Sequence, residues 1–298
     1  MKAIITADWH LRKDKPRCRL DTDWIETQRS QIMEVSHYAN DYSCPVIIVG
    51  DIFNKSVVPE EITNLFIQFC STVKKGVYIV AGNHDLPYHS MDNVLDSSIG
   101  IILTIASKMN SKYLKTLDEM DGIVWNHFGQ DFIKKDDCTI IALHQLVFES
   151  VKDMPPNVEA STAQELLDQY PYANYIFTGD MHKSFHYISS DNRHVVNPGH
   201  LNRQTADQIN DPIVYFVDTE ENIVEELAIT DLSELVTDEY LKKEEAREDR
   251  IEAFIEKVQS TDSVTLSFID NIEQAIQKNK KTLDEDTLKM IEYLIGGN

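Results

Sequence analysis

Short apolar, β-branched runs recur along this chain, and most of them stop at Gly, Asp or His. The clearest cover residues 2–7, 46–49, 77–81, 123–126, 139–143 and 175–178. Runs of this kind, closed by turn residues, read as buried strands. Between them lie polar-rich segments with apolar residues at helical spacing. Residues 22–42 carry Ile25, Ile32, Val35 and Tyr38. Residues 59–73 open with Pro59, a favourable first-turn residue, and repeat Ile62, Leu65, Phe66 and Phe69. Alternation of strand and helix predicts α/β layering. Further on, residues 185–189 and 194–197 flank Ser190-Asp191-Asn192-Arg193 and read as a hairpin, and 212–218 and 223–229 read as antiparallel strands. The predicted fold class is α/β: a two-sheet β-sandwich flanked by helices over residues 1–230, with a short helical C-terminal appendage over 231–298. In that appendage Ile251, Phe254, Ile255 and Val258 form one apolar stripe, and Leu288, Ile291, Leu294 and Ile295 another. Such stripes more often pack on their own domain than await a partner. Met154-Pro155-Pro156-Asn157 reads as a surface loop.

A hydrophobic content of 42% over 298 residues supports a sizeable core. No apolar stretch reaches the length of a membrane span, so no membrane association is expected. Residues 2–7 are too short for a signal peptide and read as a strand. Cys18, Cys44, Cys70 and Cys138 are scattered, with no C-x-x-C pair. They read as free thiols in a reducing, cytoplasmic setting. Charge changes the picture more. The net charge is −22, and residues 220–298 hold 21 acidic against 9 basic side chains. Such acidity repels phosphate backbones and argues against tight, unaided nucleic-acid binding. A nucleic-acid substrate would need a local basic strip or a partner.

The polar residues that close the apolar runs carry the chemistry. Asp8 and His10 are two apart after the first run, so both can turn toward one cation. Asp51 follows Gly50 after the second, where its two oxygens can bridge two cations or simply make a turn. Gly82-Asn83-His84-Asp85 follows the third. Asn83 offers a metal a neutral carbonyl oxygen, and His84 can exchange a proton with a reacting phosphate ester. The plainer alternative is an Asn-containing turn with a capping Asp85. His144 closes the fifth run, and Gly179-Asp180-Met181-His182 the sixth. His37, His89, His127, His186 and His194 lack this strand-end setting and read as surface or hydrogen-bonded histidines.

In this order the motifs resemble the calcineurin-like metallophosphoesterase superfamily, whose pattern is D-x-H, G-D, G-N-H-D/E, H and G-H-x-H. The branch most similar is the SbcD-type DNA repair nuclease. The likeness rests on Ala7-Asp8-Trp9-His10-Leu11, on Leu143-His144-Gln145, and on Asn197-Pro198-Gly199-His200-Leu201-Asn202-Arg203-Gln204. The resemblance implies two divalent cations. One would be held by Asp8, His10, Asp51 and His182, the other by Asp51, Asn83, His144 and Asp180. It also implies a metal-bound hydroxide as nucleophile, His84 as general acid, and contacts to substrate from Arg203 and His200. Nitrogen and oxygen ligands without thiolate suit manganese, and magnesium less well. The implied activity is a manganese-dependent DNA nuclease or phosphodiesterase in a repair or recombination complex, with an SbcC-like coiled-coil ATPase as partner and a homodimer as the assembly. The rival readings are a phosphodiesterase or phosphatase on a small molecule, and a catalytically weakened binding subunit. The chain departs from the pattern where Asp180 replaces the usual His, where His200 replaces a common Ser, and where Asn54 stands in place of a His found in some relatives. Only 68 residues follow residue 230, and they are acidic, so a reduced cap or partner-binding helices alone are expected, as in a compact bacterial or phage system.

Overall fold

The computed structural model describes residues 1–108, 114–115, 122–130, 139–206, 208, 210–230, 236–239, 242, 250–251 and 276–278. The chain divides into two compact units, Met1–Thr237 and Asp238–Asn298. The strands and helices described lie in the first. The helical stripes expected at 251–258 and 288–295 lie outside the described residues except for Ile251, and so does Cys138. Cys18, Cys44 and Cys70 are buried free thiols. No helix among the described residues is long and apolar enough to cross a membrane.

In chain order the elements are β1 (Lys2–Thr6), α1 (Trp24–Asp41), β2 (Val46–Val49), α2 (Glu60–Thr72), β3 (Val77–Val80), α3 (Ser98–Lys108), β4 (Leu114–Lys115), β5 (Ile123–Asn126), β6 (Ile140–His144), β7 (Val147–Phe148), β8 (Ser161–Thr162), α4 (Ala163–Gln169), β9 (Tyr175–Gly179), β10 (Phe185–Ile188), β11 (His194–Asn197), β12 (Ile213–Asp218) and β13 (Ile223–Ala228). They form a six-stranded sheet, ordered β13-β12-β1-β2-β3-β4, and a five-stranded sheet, ordered β10-β11-β9-β6-β5. β7 and β8 pair separately. Within the first sheet β1, β2 and β3 run parallel, with Ile4 opposite Val46 and Ile48 opposite Ile79. In the second, β5, β6, β9 and β11 run parallel.

Strand periodicity sorts the side chains into layers. Ala3, Ile5, Ile47, Val49 and Val80 of the first sheet meet Ile140, Ala142, Tyr175, Phe177 and Val196 of the second. The alternate residues Ile4, Val46, Ile48, Val77 and Ile79 pack against Ile32, Val35, Phe66, Phe69, Ile99 and Ile102 of α1, α2 and α3. On the far side Ile141, Leu143, Ile176 and Val195 cover Ala163, Leu166 and Leu167 of α4. The order is helix, sheet, sheet, helix. Central strands buried on both faces read as unbroken apolar runs, which is why they stand out in the sequence.

The helices differ in how they announce themselves. Asp23 caps α1 by accepting from the Glu26 N–H, so the helix starts at Trp24. The sequence pattern does not predict α3, because Ser98–Lys108 is apolar nearly all round and shows no single face. Nor does it predict α4. That helix spans seven residues, too few for periodicity, although Thr162 and Glu165 form a complete capping box.

Trp9 is fully buried; it donates from Nε1 to Thr6 Oγ1 at 2.8 Å and meets Phe69 edge-on at 4.8 Å. Trp9→Ala is expected to cost about 3–5 kcal/mol, as large aromatic truncations in cores do, measured by urea denaturation. His186 stacks on His194, which stacks on Tyr175. Burial first, then the His194 imidazole, lowers His186 from 6.5 to about 4. The unfolded chain therefore binds more protons between those values, so stability is full above pH 6.5 and is lost as pH falls toward 4. His186→Phe should flatten the decline in melting temperature between neutral and mildly acidic pH.

Candidate metal centre

The parallel strands all end on one edge of the sandwich, and the predicted polar residues follow directly from those ends. Hydrogen bonds lock the loops to each other. Asp8 N–H donates to Gly50 O at 3.1 Å and His10 N–H to Asp51 O at 2.9 Å. Across the sheets, His144 Nδ1 lies 2.8 Å from Val49 O, and Asp180 N–H reaches both Asp8 carboxylate oxygens at 3.1 Å. Asp8, His10, Asp51 and Asp180 all have positive φ, between 47° and 74°. That conformation costs non-glycine residues about 1–3 kcal/mol each and persists where the surroundings over-determine it. It turns each carboxylate or imidazole off the strand axis into a shared space. Two glycines make the close approach feasible. A Cβ at Gly50 (φ +88°) would lie 2.0 Å from His144 Nδ1, and one at Gly82 would lie 2.2 Å from Asp51 Oδ1.

Asp51 sits between two donor sets. Its Oδ2 is 3.6 Å from His10 Nε2, and its Oδ1 is 3.5 Å from His144 Nε2. Asp8, His10 and His182 offer atoms mutually close enough to hold a metal, as do Asp8, Asp51 and His144, and His10, Asp51 and His84. His10 Nε2 faces His182 Nε2 at 3.0 Å, and His144 Nε2 faces Asn83 Oδ1 at 3.0 Å. Adjacent donors about 2.1 Å from one octahedral ion are separated by about this distance. Asp51 Oδ2 and His10 Nδ1 are buried without a hydrogen-bond partner. An uncompensated carboxylate oxygen is costly in such a place, so the residues fit a pair of cations.

The electrostatics agree. Burial, reinforced by Asp51 and Asp180, pushes Asp8 well above the usual carboxylate range. Burial lowers His10 to about 3 and also lowers His182. Against its burial, Asp51 is held at about 2 by His144 and other imidazoles. Against its own burial, His144 is raised to about 10 by Asp51, Asp8 and Asp180. The protein alone shares too little positive charge among buried acids, and divalent cations would let every carboxylate ionise and every imidazole act as a neutral ligand.

The remaining expected residues are placed differently. Asn83 is half-buried in the cluster and His84 is exposed at its mouth. The Asp180 carboxylate is 28% exposed and 3.9 Å from His144 Nε2, outside the three-donor groups found among the described residues. Buried His200 directs both its Nδ1 and its backbone N–H at His182 O. Arg203 pairs with Asp211 Oδ1 at 3.1 Å. His127 bonds the Ala81 N–H through Nδ1.

The supports are only partly legible in the sequence, which offers Asp85 as a turn cap and residues 197–204 as a motif without this bracing role. Buried Asp85 accepts from the N–H groups of Ile52, Phe53 and Gly82, tying two ligand loops together. Burial and then Asp51 raise it to about 7. Residues 197–202 form a brace. Asn197 Nδ2 donates to Met181 O and Lys183 O, on either side of His182. Leu201 N–H donates to Asp8 O, and Asn202 Nδ2 to Trp9 O. Gln208 Nε2 lies 2.6 Å from His182 Nδ1, and nothing in its polar loop signals that. Asp51→Ala is expected to lose both metals, read as metal per chain by elemental analysis. Asp180→His should strengthen occupancy of the second site if that carboxylate is a ligand; unchanged affinity would argue against it.

Residues 1–198 match the profile of the calcineurin-like phosphoesterase family. Comparison with curated proteins finds no match. Among solved structures the chain is similar to an archaeal phosphodiesterase, at 18% identity over 77% of this chain and 100% of that one, with a TM-score of 0.41. It is also similar to a Thermus thermophilus protein, TT1561, at 10% identity over 77% and 99%, with a TM-score of 0.44. A third is Vacuolar Protein Sorting 29 from Cryptosporidium parvum, at 14% identity over 76% and 97%, with a TM-score of 0.35. Likenesses at this level carry no argument about activity. The profile match spans well over half of the chain and contains every residue from Asp8 to His182 in the cluster: the chain belongs to the calcineurin-like phosphoesterase family.

Proposed function

We propose that the protein is a manganese-dependent phosphodiesterase that cleaves DNA, acting as an SbcD-like nuclease subunit of a repair or recombination complex. The observation that carries the hydrolytic part is Asp51, whose two oxygens face two separate donor sets beneath the exposed His84. Two divalent cations in those sets supply Lewis acidity and lower the pKa of water they bind. Asp8, His10, Asp51 and His182 would hold one, and Asp51, Asn83 and His144, with Asp180 at the edge, the other. His84 is aimed by its own backbone, whose N–H donates to Asp51 Oδ1 at 3.0 Å. Its Nδ1–H is placed to donate to Asn54 O at 3.1 Å, so a second proton, taken up on Nε2 to form the imidazolium, is the one it would give to the leaving oxygen. Mixed nitrogen and oxygen donors favour manganese.

A polymeric substrate is supported by the surface around the centre. Depressions of about 550 and 610 Å³ both include Asp180 in their walls, so concave surface extends to either side of the ligands. Lys183, beside His182, lines the first. The N-P-G…R-Q element and the strand-end motifs support the nuclease branch. The charge of −22 favours the second reading, a small-molecule phosphate ester. On the DNA reading, an SbcC-like ATPase supplies the basic surface that this chain lacks, and a second copy of the chain completes the assembly.

The test is purified protein with manganese on end-labelled double- and single-stranded DNA, beside His84→Ala. Wild type should degrade DNA, and the variant should keep its metals while losing at least about 100-fold in rate, the usual worth of a general acid. Hydrolysis of a bis-aryl phosphate with no cleavage of any DNA, with or without partner, would establish the small-molecule reading.

A further inference from the structure

Tyr88 is 90% exposed, more than any other exposed large hydrophobic side chain among the described residues. Its backbone is left-handed (φ 55°, ψ 23°), and that of His89 is too (φ 54°). Two successive left-handed residues with side chains need firm anchoring. They have it: His89 Nδ1 lies 3.0 Å from Asn83 O, Leu86 N–H donates to the same carbonyl, and the Leu86 side chain is buried. The exposed ring is thus displayed from a turn tied to a candidate metal ligand, four residues beyond His84.

A second observation points the same way. Rings lead outward from the centre to this turn. Phe128 lies 6.3 Å from His144 and 6.5 Å from His89, centroid to centroid, both at steep angles. Phe128 also walls the larger depression, together with His144, Gln145, Tyr170 and Asp180. A cavity with aromatic walls, a side-chain amide and a phosphoesterase centre at one end suits a planar heterocycle joined to a phosphate.

Resting on the DNA reading above, we propose that Phe128 and Tyr88 form a stacking wall for unpaired nucleobases flanking the scissile phosphate. A base inside a duplex already has neighbours on both faces, so an exposed ring gains only from an unpaired one. The wall therefore selects single strands and frayed ends. Stacking on aromatic side chains is tolerant of sequence, so no base preference accompanies it.

The experiment compares two short labelled strands, one with bases and one wholly abasic, by fluorescence anisotropy. Manganese-loaded protein on a His84→Ala background binds them without cleavage. Tyr88→Ala should weaken binding of the base-bearing strand about tenfold, the scale of one lost base–aromatic stack. It should leave the abasic strand unchanged, and Tyr88→Phe should bind both as the parent does. An equal loss on both strands, or no loss on either, would overturn the stacking wall while leaving the DNA reading intact. Failure of the parent to bind either strand at low salt would overturn the stacking wall; the DNA reading, which draws its basic surface from a partner, stands or falls with the cleavage assay. Because the ring touches solvent almost entirely, an unchanged melting temperature is expected for Tyr88→Ala and separates lost binding from lost fold.

Discussion

Everything at the edge of this sandwich is arranged around the Asp51 carboxylate. It is buried, its two oxygens face imidazoles from opposite sides, and one oxygen has no hydrogen bond. A charge so placed is costly unless compensated. The neighbouring sequence makes room for it: Gly50 and Gly82 remove side chains that would collide with His144 and with Asp51 itself. Asp85 then gathers the backbone donors of both adjoining loops. The fold thus holds an unfavourable arrangement in place in advance, and cation binding converts that stored cost into affinity.

The donors come from both sheets, so their separation is set by sheet-on-sheet packing. His144 and Asp180 rise from the second sheet, while Asp8, His10, Asp51 and Asn83 rise from the first. Between them Ile5, Val49, Ala142 and Phe177 fill the interface. Interiors of this density resist small shifts. Two layers locked by large apolar side chains keep nitrogen and oxygen donors in register to within a bond length, which flexible loops alone would not do.

The parts of this arrangement legible in the sequence are those with a local signature. The strands before Asp8, Asp51, Asn83 and Asp180 are buried on both faces, so their apolar runs are continuous. The candidate ligands follow where chain direction forces a turn. α3 escapes because its apolar residues surround the helix, and α4 because it is too short for a period to show. The brace is visible as a motif, yet its work is not: Asn197 and Asn202 act on the backbones of residues 181, 183 and 9, contacts that no local pattern encodes. Gln208 reaches His182 for the same nonlocal reason. The substitution at Asp180 is visible, but its consequence depends on where a partly exposed carboxylate lies relative to His144.

The brace also has a consequence for how the protein is made. Asp8 and Trp9 are synthesised long before Leu201 and Asn202, which hold their carbonyls. β1 is flanked by β12, which follows still later. The earliest strand of the chain thus waits for nearly the last strand of its sheet. Pairings so distant in sequence form slowly. A nascent chain bearing Asp8, His10 and Asp51 has three of its seven candidate ligands but none of the framework that spaces them. The donors therefore reach their spacing only once residues 197–218 have joined β1.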